Sequence, residues 1–167
     1  CTVAGKEYTG QWDRGRRHGM GVLTHANGER YEGEWCNGKI TGKGTITSSN
    51  GDSYTGQWLN NKYHGTGTFT KKCGDKFTGQ IVHGVATGIG VQYLHTREMY
   101  KGEWLADKRH GKGICVYPNG SRYTGRWEEG HHSGDGVYIS PIGEKYVGQW
   151  EKSKKSGFGR YYFVNGD

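Results

Sequence analysis

Aromatic and polar residues alternate in a five-residue segment that recurs along the chain. In its first copy, Tyr8, Gly10 and Trp12 occupy alternate positions, and the residues between them, Thr9 and Gln11, are polar. Alternation with a period of two places the two sets of side chains on opposite faces of a strand. Each copy therefore predicts a strand with one aromatic face and one solvated face.

The segment returns every 23 residues without a slip, and its seven copies start at residues 8, 31, 54, 77, 100, 123 and 146. A short unit repeated at a fixed period is typical of a repeat array, in which each repeat packs on its neighbours, rather than of a globule with a central core. We predict one array over residues 1–167. Because Ala4-Gly5 stands where later copies carry Asn-Gly, residues 1–7 are expected to be the tail of a preceding repeat.

The remainder of each repeat predicts a second strand and two turns. A polar turn follows the first strand, and then comes a Gly-x-Gly pair, first seen as Gly19 and Gly21. Glycine weakens a strand unless something packs closely on it, so we expect the Tyr and Trp rings to lie flat over both glycines. Asn-Gly ends the unit and predicts a two-residue type I′ hairpin, which needs positive φ at both positions. This pair occurs as Asn27-Gly28, Asn50-Gly51, Asn119-Gly120 and Asn165-Gly166.

The fold class predicted is all-β: a single twisted antiparallel meander of stacked β-hairpins, two strands to a repeat. Strands lie about 4.8 Å apart, so an elongated array of about 65–70 Å is expected. The fourth copy departs from the pattern, with Phe77 for Tyr, Ile81 for Trp and Thr96-Arg97 in place of Asn-Gly. Arginine rarely adopts positive φ. Ordinary drift between copies and a bend or shallower groove at this repeat are both open.

Composition changes this picture little. Apolar residues make up only 31% of the chain and there are 32 glycines, but glycine in register with the rings is structural rather than a sign of disorder. The net charge of +7 favours acidic partners. Nucleic acid is set aside, because rings packed over glycine are poorly placed to stack on bases. The four cysteines, at 1, 36, 73 and 115, are read as free thiols of a reducing compartment.

Tyr-x-Gly-x-Trp, Gly-x-Gly and Asn-Gly-(Asp/Glu) at this period resemble the MORN (membrane occupation and recognition nexus) repeat family over nearly the whole chain. The resemblance implies a single sheet of stacked hairpins whose aromatic-lined concave face holds peptide partners. An array with nothing else attached is most similar to the MORN-only cytoskeletal scaffold proteins of unicellular eukaryotes. MORN repeats also accompany catalytic domains such as lipid kinases and methyltransferases.

The first candidate site is a partner groove formed by the aromatic stripe. The alternative is that these rings are simply the core of the sheet. The stripe comprises Tyr8, Trp12, Tyr31, Trp35, Tyr54, Trp58, Phe77, Tyr100, Trp104, Tyr123, Trp127, Tyr146 and Trp150.

The second candidate is a basic edge for lipid headgroups, built from the first turns of successive repeats; the alternative is a solvated rim. It comprises Arg16, Arg17, Lys39, Lys62, Lys108, Arg109, Lys154 and Lys155, with His131 and His132 at the same phase.

The third candidate is a homodimer interface at the last strand. Its residues are apolar on both faces where earlier copies are polar, which is typical of a strand covered on both faces. The alternative is that a repeat now missing from the C-terminal side covers it. The interface comprises Phe158, Tyr161, Tyr162, Phe163 and Val164.

The sequence gives little support for a pH-sensitive group, a metal site or a catalytic site. His18, His64 and His110 share one phase, where other copies carry Thr or Ser, so a small polar turn residue suffices there and a pH role is the alternative. Ligand spacing for a metal is absent within a repeat, and a site shared between chains through Cys115, His131 or His132 stays open. No nucleophile elbow, HExxH or phosphate loop before a helix occurs, so we expect neither enzymatic activity nor a cofactor.

These observations predict a non-enzymatic structural scaffold. It is a dimerising array that binds cytoskeletal or membrane-associated proteins, in the cytoplasm, at the cytoskeleton and at the membrane periphery. Two alternatives are kept: a peripheral module for anionic lipids such as phosphoinositides, and the targeting domain of a larger enzyme.

Overall fold

The computed structural model describes residues 2–3 and 5–164, and all of its regular elements there are strands. They are β1 (Thr2–Val3), β2 (Lys6–Asp13), β3 (Arg16–His25), β4 (Arg30–Cys36), β5 (Lys39–Thr47), β6 (Ser53–Leu59), β7 (Lys62–Thr70), β8 (Lys76–Val82), β9 (Val85–Tyr93), β10 (Met99–Leu105), β11 (Lys108–Val116), β12 (Arg122–Glu128), β13 (His131–Ile139), β14 (Lys145–Glu151) and β15 (Lys154–Tyr162). Accordingly, none of these described residues belongs to a helix able to cross a membrane.

The chain divides into two compact units, residues 1–85 and 86–167, with the boundary inside the fourth repeat. In the first unit, β1 to β8 follow one another in chain order and each strand pairs antiparallel with the next. In the second unit, β9 to β15 do the same. The predicted all-β antiparallel meander is confirmed.

Each hairpin that starts with Tyr-x-Gly-x-Trp carries a shift of register at the same place. Gly10 pairs with Gly21, but the next pair is Trp12 with Arg17, so Gln11 lies in a bulge. Its Oε1 accepts a hydrogen bond from the backbone N–H of Met20 at 3.1 Å. The same bond recurs from Lys43 to Glu34, Thr66 to Gln57, Lys112 to Glu103 and Phe158 to Gln149. The Gln or Glu that the sequence marks only as solvated thus closes the bulge.

The two glycines of Gly-x-Gly serve different purposes, which corrects the prediction that rings cover both. Gly19 has φ of +65° and lies beside the Gln11 side chain, so the backbone conformation requires it. Gly21 lies under the Tyr8 ring, where a Cβ would be 2.5 Å from Cζ. The Trp rings do not cover glycine in this way. Instead, the indole N–H of Trp35 donates to the carbonyl of Gly21, 3.3 Å away in the preceding repeat.

The prediction of a type I′ turn at Asn-Gly is wrong. The polar first turn, not Asn-Gly, has positive φ at both central residues, as at Arg14 and Gly15 (47° and 74°). In the Asn-Gly turn, only Gly28 has positive φ (88°). Its N–H donates to the carbonyl of His25, and Asn27 Oδ1 accepts from the N–H of Glu29 at 3.0 Å. The longer turn therefore uses Asn for a side-chain bond rather than for a left-handed backbone. Asn165-Gly166 lies outside the described residues.

The departure of the fourth copy does not alter its turn. Arg97 adopts φ of +73°, and its N–H donates to the carbonyl of Leu94 at 2.9 Å, as glycine does in the other copies. The expectation that arginine could not easily take this conformation is wrong. Ile81, which replaces Trp, is fully buried and keeps the place of the indole in the core.

Aromatic rings form the core of each unit. In the first unit, the Tyr31 ring is 5.3 Å from Trp35 of its own repeat and 5.3 Å from Trp58 of the next, edge to face in both cases. Its hydroxyl donates to the carbonyl of Glu34 at 3.1 Å. Each such ring pair contributes about 0.5–1.5 kcal/mol beyond the burial of area. Within the first unit, the repeating Tyr and Trp therefore link successive hairpins that carry them.

Candidate functional site

The structure buries most of the aromatic stripe. Eleven of its thirteen residues are buried, Phe77 is half-buried, and Trp12 is 51% exposed. Burial to this extent favours the alternative that the rings are the core, because little ring surface is left for a partner. The partner groove on these rings stays a prediction.

A second row of side chains covers the rings. It contains, in every repeat, the second residue of the strand that follows the first turn; we call it the capping row. Its members are Arg17, Ile40, Tyr63, Ala86, Arg109, His132 and Lys155. The Arg17 guanidinium lies 4.6 Å from the centroid of Trp35, the Tyr63 ring 4.2 Å from Tyr54, and the His132 ring is stacked on Tyr123 at 3.6 Å.

The capping row divides the predicted basic edge in two. Arg17, Arg109 and Lys155 lie over rings, where the cation is attracted to the π face. The residue before each member of the capping row is exposed. Apart from Val85 of the fourth repeat, these residues carry a basic side chain and form the outward row: Arg16, Lys39, Lys62, Lys108, His131 and Lys154. Of these, Lys108 forms an ion pair with Glu129 at 3.4 Å. Three residues predicted to meet lipid are therefore engaged with the protein's own rings.

In the second unit, two members of the capping row, Arg109 and His132, belong to a largely buried polar network. Arg109 forms a 2.7 Å ion pair with Glu98 and donates to Gln92 at 2.8 Å. Beside them, burial raises the pKa of the Cys115 thiol to about 11, so the thiol is neutral near pH 7. His132 Nε2 lies 2.7 Å from the Tyr117 hydroxyl, and burial, helped by the Arg109 charge, lowers its pKa to about 4. These contacts give Arg109 and one ring nitrogen of His132 polar partners, whereas His132 Nδ1 is buried without a hydrogen-bond partner among the described residues.

One face of the sheet lies away from the rings, and we call it the ring-free face. The residue types on this face differ between the two units. In the first unit, one row of paired residues across this face is mainly threonine: Thr9, Val22, Glu32, Thr45, Thr55, Thr68 and Thr78. In the second unit, the same row is Val91, Lys101, Ile114, Thr124, Val137, Val147 and Arg160. Equivalent positions thus change from hydroxyl to aliphatic side chains.

A groove of about 940 Å³ lies on the ring-free face of the second unit. Glycines form part of its floor, and its apolar side chains, Ile89 and Ile114, are 55% and 42% exposed. Its charged side chains are Lys101, Lys112, Arg126 and Asp135. The first unit carries a smaller groove of about 420 Å³ on the same face, lined mainly by Thr, Gln, Glu and Lys with Met20.

Six segments of the chain match the model of the MORN repeat: residues 8–30, 31–53, 54–75, 100–122, 123–145 and 146–167. The chain belongs to the MORN repeat family. The resemblance inferred from the sequence is confirmed. The fourth copy, which starts at Phe77 and lacks both Tyr and Trp, lies outside the six matched segments.

No curated protein matches this MORN array. Among solved structures, it is similar to the SAS-4 (dCPAP) TCP domain of Drosophila melanogaster, solved in complex with a proline-rich motif of Ana2 (dSTIL). The identity is 12%, the coverage is 100% of this chain and 90% of that one, and the TM-score is 0.56. It is also similar to the TCP10 domain of Danio rerio CPAP in complex with a STIL peptide, with 15% identity, 96% and 80% coverage and a TM-score of 0.49. At such identities the likeness concerns the fold alone.

The last strand of the MORN array, β15, carries the predicted dimer interface. Within residues 5–164 it pairs with β14 only. Phe158 is 90% exposed and Val164 is 62% exposed, and Tyr161, Tyr162 and Phe163 are also exposed. The structure thus brings the five predicted residues to one open edge.

The other predicted residues are not brought together into a site. His18, His64 and His110 lie on β3, β7 and β11. Cys115 and His132 are buried, whereas His131 is exposed. A metal site shared between chains through these residues stays an open alternative. Cys36, Cys73 and Cys115 are free thiols as predicted, and Cys1 lies outside the described residues.

The groove on the ring-free face was missed from the sequence, although one signal was present. Ile114, Val137 and Val147 occupy phases at which the second and third copies carry threonine or glutamate. Treating the positions between the rings as uniformly polar hid this substitution.

Proposed function

We propose that this MORN array is a non-catalytic scaffold that associates with a second copy through β15 and holds cytoskeletal or membrane-associated protein partners. The observation that carries the proposal is the cluster of exposed apolar side chains on β15 and just after it: Phe158, Tyr161, Tyr162, Phe163 and Val164. A similar fold, the TCP domain of SAS-4, was solved with a proline-rich motif of Ana2, which supports the idea that sheets of this kind accept a protein segment.

Within residues 5–164, β15 is an edge strand of the sheet. An edge strand offers unpaired N–H and C=O groups, and proteins normally keep such edges short, charged or covered. Here the outer strand is nine residues long; its charges are Lys154, Lys155 and Arg160, and its end is aromatic, with Tyr161 and Tyr162. The exposed residues Phe163 and Val164 follow directly. Pairing of two identical edges about a two-fold axis covers both at once and is the commonest form of closed association.

The test is the molar mass of the 167-residue chain and of Tyr162→Ser/Phe163→Lys, measured by light scattering. We expect the parent to be a dimer and the double variant a monomer, because the variant places a charge and a small polar group on the buried seam. Leu105→Lys, which alters an equally exposed apolar residue at the end of β10, should stay dimeric. A parent that is monomeric at tens of micromolar, or a dimeric double variant, would place the interface elsewhere or remove it.

Anionic lipid binding is the second candidate, and the outward row favours it. Arg16, Lys39 and Lys62 are exposed at equivalent places in three successive repeats of the first unit. Two strands separate each from the next, so the charges are about 10 Å apart. Each cation near an anionic surface contributes about 1 kcal/mol.

Reversing Arg16, Lys39 and Lys62 to Glu is expected to weaken binding to phosphoinositide-containing vesicles by at least about 100-fold in a co-sedimentation assay. Raising the salt to 1 M should have a similar effect, because the screening length falls to about 3 Å. Lys71→Glu/Lys72→Glu/Lys76→Glu changes the net charge equally without touching the row and should bind nearly as the parent does. Equal losses in both triple variants would assign the attraction to net charge and not to the row.

A further inference from the structure

We infer that the groove on the ring-free face of the second unit is the site that holds a partner, and that its occupant is a protein segment combining apolar and carboxylate side chains. The inference rests on the proposed partner-binding function and adds to it both the place and the chemistry of the partner. It moves the binding site away from the Tyr and Trp stripe to the opposite face of the sheet.

Ile114 of the groove stands where the second and third repeats carry a polar residue. Ile114 is 42% exposed on β11, and its counterparts in the second and third repeats, Thr45 and Thr68, each lie 3.0 Å from a threonine of the next strand. The same backbone therefore accepts a polar row, so the fold does not require isoleucine here. Exposed aliphatic residues gathered in one groove are typical of a surface that a partner covers.

Arg126 departs from the residue type found at its position in the other repeats. In the other six repeats this position is Gln or Glu, and the side-chain oxygen closes the bulge by accepting a backbone N–H, as Glu103 does from Lys112 at 2.9 Å. Arginine has donors only and cannot accept that bond. The sixth repeat thus gives up a structural hydrogen bond and places a guanidinium in the groove, a local departure of the kind found at functional sites.

Arg126 also lies directly opposite Lys112 on the neighbouring strand. Like charges at directly paired positions destabilise a sheet. Within the described residues neither side chain forms a salt bridge. Lys101 adds a third cation to the lining, against the single carboxylate of Asp135. A carboxylate of a partner placed between Lys112 and Arg126 would relieve this repulsion, and arginine would bind it through two parallel hydrogen bonds.

The dimensions agree with a short segment. A groove of about 940 Å³ is at the upper end of the volumes of about 300–1,000 Å³ that ligand sites occupy. Apolar side chains of the segment would lie on Ile89 and Ile114 and on the glycine floor, where its backbone can approach closely. Its carboxylates would lie at the Lys112–Arg126 pair.

The experiment is selection of a random peptide library displayed on phage against the full chain, followed by binding measurements with the best synthetic peptide. We expect peptides rich in both apolar residues and Asp or Glu. Lys112→Glu/Arg126→Glu should weaken the best peptide by about 100-fold, and Ile114→Asp should abolish its binding. The matched variants on the smaller groove of the first unit, Lys43→Glu and Thr45→Asp, should leave it unchanged.

Arg126→Gln separates a loss of binding from a loss of folding. Glutamine restores the side-chain acceptor seen at Gln149, so this variant should unfold at a higher urea concentration than the parent and still bind the peptide about tenfold more weakly. Weaker binding with a lower unfolding midpoint would instead assign a structural role to Arg126.

The outcomes separate the inference from the function on which it rests. Peptides that bind the parent but ignore Ile114→Asp would leave the partner-binding function standing and overturn the groove. Peptides that need Ile114 but carry no excess of Asp or Glu would overturn the carboxylate half. A parent that selects no peptide at all would count against the groove and against peptide-type partner binding together.

Discussion

Replacing Gly44 by alanine is expected to lower the thermal unfolding midpoint by about 6–12 °C, which for a chain of this length corresponds to about 3 kcal/mol. A Cβ at this position would lie 2.6 Å from Cε2 and Cζ of the Tyr31 ring. The ring cannot move aside freely, because it is 2% exposed, is held between Trp35 and Trp58, and its hydroxyl donates to Glu34. Gly44 does not have positive φ, so steric overlap and not backbone strain is the cause.

The unfolding is followed by tryptophan fluorescence, since Trp35 and Trp58 flank the affected ring. The control is Gly38→Asn in the same repeat. Gly38 has φ of +82° and open space around it, and Asn61 occupies the equivalent turn position of the next repeat with φ of +68°. This variant should unfold within about 1 kcal/mol of the parent. If both variants unfold alike, close contact with the ring is not what requires glycine at the second Gly-x-Gly position.

The strands and the repeat were predictable because two strong periods coincide. Alternation of aromatic and polar residues defines each first strand, and the 23-residue period fixes where each hairpin starts. The structure places Tyr8 and Tyr31 at the same phase of β2 and β4, as expected. Because the same residues repeat, local preference and packing between neighbours agree, and this part of the fold needed no other information.

The turn types could not be predicted, because tertiary hydrogen bonds outweigh local preference. The first turn of the fifth repeat is Ala106-Asp107; alanine rarely adopts positive φ, yet here both residues do. The N–H of Asp107 donates to the carbonyl of Ala86, and its carboxylate accepts from the N–H of Ala86 at 2.7 Å. These bonds to the preceding repeat hold the turn, and nothing within four residues of sequence reveals them.

The cover over the predicted groove could not be read from the sequence for a related reason. The rings are buried by the capping row, and its residues vary from Arg17 and Ile40 to Tyr63 and His132. No single residue type marks such a row, so the sequence shows the rings but not their cover. The groove on the ring-free face was missed for a different reason. The few aliphatic residues there, such as Ile114, look like ordinary drift among polar positions.

His132 makes stability depend on pH in a defined window. It is 8% exposed, stacked on Tyr123 and hydrogen-bonded to Tyr117, and burial lowers its pKa to about 4 from the ordinary value of 6.5. Because the folded pKa is the lower one, the unfolded chain binds the proton more readily. The stability that neutral His132 contributes is therefore fully present above pH 6.5 and is lost as the pH falls towards 4. At pH 5 the loss is about 2 kcal/mol.

We expect His132→Gln to remove most of the difference in unfolding free energy between pH 7 and pH 5. Glutamine carries no titrating proton and can still form a hydrogen bond with the Tyr117 hydroxyl, as donor or as acceptor. At pH 7 the variant loses the stacking on Tyr123, so the readout is the change between the two pH values and not the stability at either. Urea unfolding at pH 7, 6 and 5 measures it for the parent, for His132→Gln and for His131→Gln. The adjacent His131 is exposed, and its variant should keep the parent's pH dependence. If His132→Gln retains the full dependence, the proton that destabilises the fold binds elsewhere and His132 is not buried in its neutral form.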